Sequence, residues 1–180
     1  CLVITAKREE YKGFHWTSSS ISTMCKKNVR FGRIEAKMKL ANVRGSFPAF
    51  WMIGQPLVIK YTEDSDGNVT KTHVRGDYPA CGELDIIEQF GTGDVASGEW
   101  GTDGSKHHNF THTVDTTVFH LYAIEWNDEE IKYFVDDVLI GTSSIADDRL
   151  KAYRENAFYI IVNLAVGGSA GTPDESTNII

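Results

Sequence analysis

Three carboxylates, Glu83, Asp85 and Glu88, stand within six residues of one apolar run, CGELDIIEQFG at 81–91. In an extended strand alternate residues share a face, about 6.6 Å apart, so Glu83 and Asp85 point the same way. Glu88 joins them only if one extra residue is absorbed after Asp85, which a β-bulge at Ile86-Ile87 would do. A regular strand would instead put Glu88 in the row of Leu84 and Ile86, where a lone buried carboxylate is costly. The bulge is therefore the expectation. Acids gathered in one groove repel, and a like charge raises a carboxyl pKa, so at least one should be protonated or strongly hydrogen-bonded at neutral pH. An ionised carboxylate as nucleophile, beside a protonated one that donates to a leaving oxygen, is what cleavage of a glycosidic bond requires. Side chains at this spacing can lean until their carboxyls are about 5–5.5 Å apart, the separation that retains configuration. An Asp between them can accept a hydrogen bond and tune both.

The elements that must position these acids read as strands. In GRIEAKMKLA (32–41), Ile34, Ala36, Met38 and Leu40 alternate with Arg33, Glu35, Lys37 and Lys39, a strand with one buried face. FPAFWMIG (47–54), FHLYAIEW (119–126) and AFYIIVNLAVGG (157–168) are apolar enough for internal strands, and the opening CLVITA reads as another. EIKYFVDDVLIG (130–141) reads as a hairpin about Asp136-Asp137. Only ADDRLKAYREN (146–156) carries a helical signal, with Asp147 or Asp148 as its cap. The polar stretches 62–77 and 101–116 read as loops. Many short strands separated by turns imply an all-β sandwich, here a single domain over 1–180.

The net charge of −7, with no basic run, argues against nucleic acid and anionic membranes as partners. No apolar run approaches the roughly 18–20 residues of a membrane-spanning helix. Cys1, Cys25 and Cys81 fit no zinc spacing, and their odd number leaves either one disulfide with a free thiol or three thiols. The chain starts at Cys1 without a secretory leader, so a processed chain or a fragment is expected. The sequons at Asn68 and Asn109 matter only in a eukaryotic secretory route. In KHHNFTH, the adjacent His107 and His108 would point oppositely on a strand, and no carboxylate completes a metal set with them and His112. That segment is expected to be a polar loop near the groove, with no metal.

In these residues the chain resembles glycoside hydrolase family 16. The family signature Glu-x-Asp-x-(x)-Glu appears in its longer form as Glu83-Leu84-Asp85-Ile86-Ile87-Glu88. FGRIEAKMKLA, FPAFWMIG, YPACGELDIIE, FHLYAIEW, IKYFVDD and NLAVGG resemble family segments in the family order. The resemblance implies a jelly-roll β-sandwich of two curved antiparallel sheets with a concave cleft. It also implies a retaining endo-hydrolase without a cofactor, acting on a polysaccharide, and secreted or held at the cell surface or in the periplasm. Glu83 is then the nucleophile, Asp85 the assisting carboxylate and Glu88 the acid/base. PACGELDIIE is most similar to the laminarinase side of the family, which cuts β-1,3- or mixed β-1,3-1,4-glucan. Other readings are a hydrolase of a marine galactan (agar, porphyran or carrageenan), a transglycosylase, and a non-catalytic glycan-binding module.

The resemblance further implies substrate contacts at Glu35 and Lys37, at family positions facing the cleft, and at Asn163. Of the neighbours Phe50 and Trp51 only one can face the groove, and Trp51 is the choice. Trp100 falls where the family has a His-Trp pair, with Glu99 in the histidine position. Phe47 and Tyr78 stand where the family usually has Trp, and the loop from Gln55 to Asp77 is longer and more charged than in simple laminarinases. The family also has strands before residue 1 and after residue 180. Without them the sandwich edges invite a partner segment, and the calcium site that uses those regions is not expected.

Overall fold

The computed structural model describes residues 1–55, 57–75, 77–91, 93–174 and 177, with the backbone alone for 57–61 and 71–75. The strands are β1 (Lys7–Tyr11), β2 (Phe14–Thr17), β3 (Ser20–Ser22), β4 (Gly32–Met38), β5 (Ser46–Gly54), β6 (Leu57–Glu63) and β7 (Val69–Arg75). They continue with β8 (Glu83–Gln89), β9 (Val95–Trp100), β10 (Lys106–His112), β11 (His120–Trp126), β12 (Glu130–Val135), β13 (Val138–Ser144) and β14 (Phe158–Val166). A six-stranded sheet in the order β10-β9-β8-β5-β14-β3 stacks on a four-stranded sheet in the order β13-β12-β11-β4. All pairings are antiparallel. Phe50, Met52, Leu84, Ile86 and Ile87 from the first sheet meet Ile34, Tyr122, Ile124, Ile131 and Tyr133 from the second in one core. This is the expected sandwich.

Local chemistry accounts for two of the boundaries. Asp136 and Asp137 have φ of 50° and 62°, as a two-residue hairpin turn requires at both central positions. The Asp136 carboxylate accepts the Leu121 amide at 2.8 Å. Asp147 caps the 3-10 turn Asp148–Leu150, which runs into the short helix α1 (Lys151–Glu155). All three cysteines are free thiols, with Cys81 buried.

Three expectations need correction. Residues 1–6 form no strand, and the first begins at Lys7. The stretch 62–77 is not a loop, because β6 and β7 pair as a hairpin. Its turn closes on the Asp64 carboxylate, which accepts the amides of Asp66 and Asn68. The stretch 101–116 contains β10, one of the two edge strands of the larger sheet. Both segments are polar and alternate weakly, so nothing in them announces a sheet. Their partners supply the pairing.

β8 lies between β5 and β9, and it carries the bulge. Against β5, Trp51 faces Asp85 and Phe50 faces Ile87, so Ile86 has no opposite number. Against β9, Asp85 faces Gly98 and Glu88 faces Ala96, so Ile86 and Ile87 together span Ser97. Both isoleucines enter the core, at 1 % and 0 % exposure. Each such burial stabilises by about 1.5–3 kcal/mol. The Ser97 hydroxyl donates to the Ile86 carbonyl at 2.8 Å, which satisfies a backbone group that the bulge takes out of the ladder.

Deleting Ile86 should restore simple alternation while leaving all three acids on one face. The variant should keep a native circular dichroism spectrum and unfold cooperatively, with a loss of about 2–5 kcal/mol from the missing core side chain. A chain that aggregates or melts without cooperativity would contradict the register described here.

Candidate active site

The face of the six-stranded sheet turned away from the core carries Glu83, Asp85 and Glu88 of β8. Antiparallel partners share a face, so Trp51 and Ala49 of β5, and Ala96, Gly98 and Trp100 of β9, stand beside them. The backbone of Glu83 is anchored from α1. The Tyr153 hydroxyl accepts the Glu83 amide at 3.2 Å and lies 2.5 Å and 2.8 Å from the carbonyls of Glu83 and Trp100. Glu83 is half-buried, whereas Asp85 is 1 % and Glu88 9 % exposed.

Two donors converge on the central acid. The Trp100 indole N–H donates to Asp85 Oδ2 at 3.2 Å, and the Lys106 ammonium donates to the same oxygen at 2.7 Å. Lys106 also reaches Glu88 Oε2 at 3.4 Å and sits 5.1 Å from the Trp100 ring centre. Asp85 Oδ1 is buried and has no donor among the described residues. Burial, then the charge of Asp85, push the Glu88 carboxyl up to about 8; Lys106 opposes them, and Glu83 adds a smaller upward push. Burial drives Asp85 upward as well, against Lys106 and Trp100. The pair therefore keeps a proton at neutral pH, and Glu88 is the more exposed of the two.

Along the cleft, the Trp51 indole N–H donates to Asn163 Oδ1 at 2.6 Å. Phe50 lies in the core instead. Asn163 faces Ala49 across β14 and β5, and Ala49 faces Glu88 in turn. Phe47, two residues before Ala49, packs on Phe90, two residues after Glu88, with ring centres 4.7 Å apart. Glu83, Asp85, Glu88, Trp51, Trp100 and Asn163 are thus brought onto one face.

Glu35 and Lys37 are not on that face, and their expected place at the cleft is corrected. β4 belongs to the four-stranded sheet, where Ile34, Ala36 and Met38 turn to the core. Glu35 and Lys37 consequently lie on the outer surface, and Glu35 pairs with Arg33 at 2.6 Å. Alternation reports which residues share a face; it does not report which sheet the strand joins. Lys106 was missed by sequence reasoning. Its only signal was a lone cation beside the histidines, in a stretch that looked like a loop. The Phe47–Phe90 pair was missed too, although Phe47 alternates visibly with Ala49 and Trp51.

Residues 1–179 match the family described as Glycosyl hydrolases family 16. The chain belongs to this family. Among its relatives, the beta-glucanase of Rhodothermus marinus is 35 % identical over 94 % of this chain and 59 % of its own length. The clotting factor G alpha subunit of Tachypleus tridentatus is 34 % identical over 93 % of this chain and 24 % of its own. This family 16 chain therefore spans less than two thirds of either relative. The solved laminarinase of Rhodothermus marinus superposes with a TM-score of 0.77 at 29 % identity, over 97 % of this chain and 71 % of that one. The sandwich is thus the jelly roll of the family 16 laminarinases. No helix among the described residues is long and apolar enough to cross a membrane.

The raised Glu88 carboxyl has a consequence for the stability of this family 16 sandwich. Its folded pKa of about 8 lies above the ordinary 4.5, so the stability it contributes is complete below about 4.5 and lost as pH rises through about 8. Glu88→Gln removes the ionisation. The melting temperature of the variant should match wild type at pH 5 and exceed it by about 5 °C at pH 9. A pH-independent difference in calorimetry would refute the raised value.

Proposed function

We propose that this chain is the catalytic unit of a retaining endo-hydrolase acting on β-1,3- or mixed β-1,3-1,4-glucan. The observation that carries the reading is the division of labour along β8: a half-exposed Glu83 on the same face as a Glu88 whose pKa is pushed up to about 8. The likeness to a beta-glucanase and a laminarinase supports the substrate class. A polymer substrate also favours a secreted, cell-surface or periplasmic location.

In the first step Glu83 attacks the anomeric carbon while Glu88 gives its proton to the glycosidic oxygen. The C–O bond breaks, the leaving chain departs as an alcohol, and a glycosyl ester forms on Glu83. In the second step the Glu88 carboxylate takes a proton from water, whose oxygen attacks the same carbon and frees Glu83. Asp85 offers its free oxygen to a proton on either neighbour. Lys106 offsets the negative charge left on Glu88 between the two steps. Trp51, Trp100 and the Phe47–Phe90 pair offer aromatic faces to sugar rings, and Asn163 orients Trp51.

Glu83→Gln should abolish turnover of laminarin by several orders of magnitude with binding largely kept. Retention of more than about a tenth of the wild-type rate would place the nucleophile elsewhere. The wild-type kcat/KM should fall as pH rises through about 8, because the acid form of Glu88 is lost, and this limb should vanish in Glu88→Ala. On an activated aryl glycoside, azide should rescue Glu88→Ala and give the β-azide. An α-azide, or no rescue, would remove Glu88 from the acid/base role.

A further inference from the structure

On the other face of β9 lies a second cluster that the cleft does not use. Glu99 is wholly buried between the two sheets. His107 Nδ1 lies 3.3 Å from its Oε1, His108 Nδ1 lies 2.5 Å from the same oxygen, and the two nitrogens are 2.7 Å apart. Adjacent strand residues should point oppositely, but β10 is bulged here. Lys106 faces Trp100 and His108 faces Glu99, so His107 is the extra residue and turns to the same side. The carboxylate that the histidine segment seemed to lack is therefore Glu99, on the neighbouring strand.

We infer that Glu99, His107 and His108 form a binding site for a first-row divalent cation of the Zn²⁺ class. Two imidazole nitrogens and one carboxylate oxygen suit such an ion better than Ca²⁺ or Mg²⁺, which take oxygen ligands. Zn²⁺ bonds of about 2.0–2.1 Å separate tetrahedral ligands by about 3.3 Å. One pair already has that separation, and the other two need to open by less than about 1 Å. A shared proton can satisfy only one pair of these lone pairs at a time, whereas a cation satisfies all three.

The surroundings are those of a metal site. Tyr133 donates to Glu99 Oε2 at 2.6 Å and so orients the carboxylate. The Ser143 hydroxyl lies 2.6 Å from Glu99 Oε1 and 3.0 Å from His108 Nδ1, close enough to offer a further oxygen to the ion. Asp147 Oδ2 stands 3.5 Å from His107 Nε2, as the outer carboxylate of a metal-bound histidine does. With neutral imidazoles, Glu99 supplies one negative charge to the ion directly, and Asp147, which also pairs with Arg149, stands outside it. The His108 side chain is 34 % exposed and gives a way in. Ser143 lies on β13 and Tyr133 on β12, so the ion would tie the edge of the larger sheet to the smaller one. It would do so immediately beside Trp100 and Lys106.

The test is metal binding by the purified protein after stripping with a chelator, and it is independent of glycan turnover. Co²⁺ should give a visible d–d absorption that saturates at one equivalent and is displaced by Zn²⁺. At about 100 times its Kd, Zn²⁺ should raise the melting temperature by about 5 °C or more. Asp147→Asn, which keeps the helix cap, should weaken binding by about 10-fold, and His107→Ala and His108→Ala by more than about 100-fold. If a histidine variant fails to fold, the effect of Asp147→Asn on affinity decides. No Co²⁺ band and no Zn²⁺ shift would overturn the inference. So would a band that survives the double histidine variant, which would place the ion at the cleft carboxylates, or an affinity untouched by Asp147→Asn.

Discussion

The register of β8 is the constraint on which the rest depends. The strand is hydrogen-bonded on both sides, so an extra residue cannot be shed at an edge and must be absorbed within the ladder. The sandwich absorbs it by sending both Ile86 and Ile87 inward and closing the gap with the Ser97 hydroxyl. Hydrophobic burial thus fixes where Glu88 points. A slip of one residue would exchange the acids for the isoleucines and expose the core while burying the charges.

The same sheet uses this device again at β10. There the extra residue is His107, opposite Trp100 and Glu99, and the next pair along the ladder sets Gly98 against Asn109. A Cβ at Gly98 would lie 2.1 Å from the His108 carbonyl oxygen, so only glycine admits the bulged strand at that distance. β9 stands between the two bulges and serves both. Gly98 and Trp100 face the acids, while Ser97 and Glu99 face the interior. One strand therefore lines a carboxylate groove on one side and a histidine–carboxylate cluster on the other, without sharing a side chain between them.

The acids themselves work against folding. Asp85 and Glu88 are nearly excluded from water, which raises the cost of their charged forms. Lys106 and the Trp100 indole offset part of that cost without removing it. The remainder keeps a proton in the site at neutral pH, which the proposed chemistry needs. Stability is surrendered in the alkaline range for the same reason that a proton donor is available below it.

The sequence by itself determined the all-β sandwich, the acid trio and the need for a bulge, because alternation, apolar runs and the misfit of Glu88 are local signals. Trp51 and Asn163 came from the family resemblance, with strand alternation saying only that one of Phe50 and Trp51 could face the groove. The sequence could not say which sheet β4 joins, so Glu35 and Lys37 were assigned to the wrong surface. Strand period defines a face, but the partner strands decide what that face looks at. Lys106 and Glu99 were beyond it for a related reason. Each acquires its role from residues on a neighbouring strand, across a register that a second bulge shifts by one. That shift is set by the packing of β10 on Gly98 and of Glu99 against Tyr133 and Ser143, contacts that exist only once the two sheets have closed.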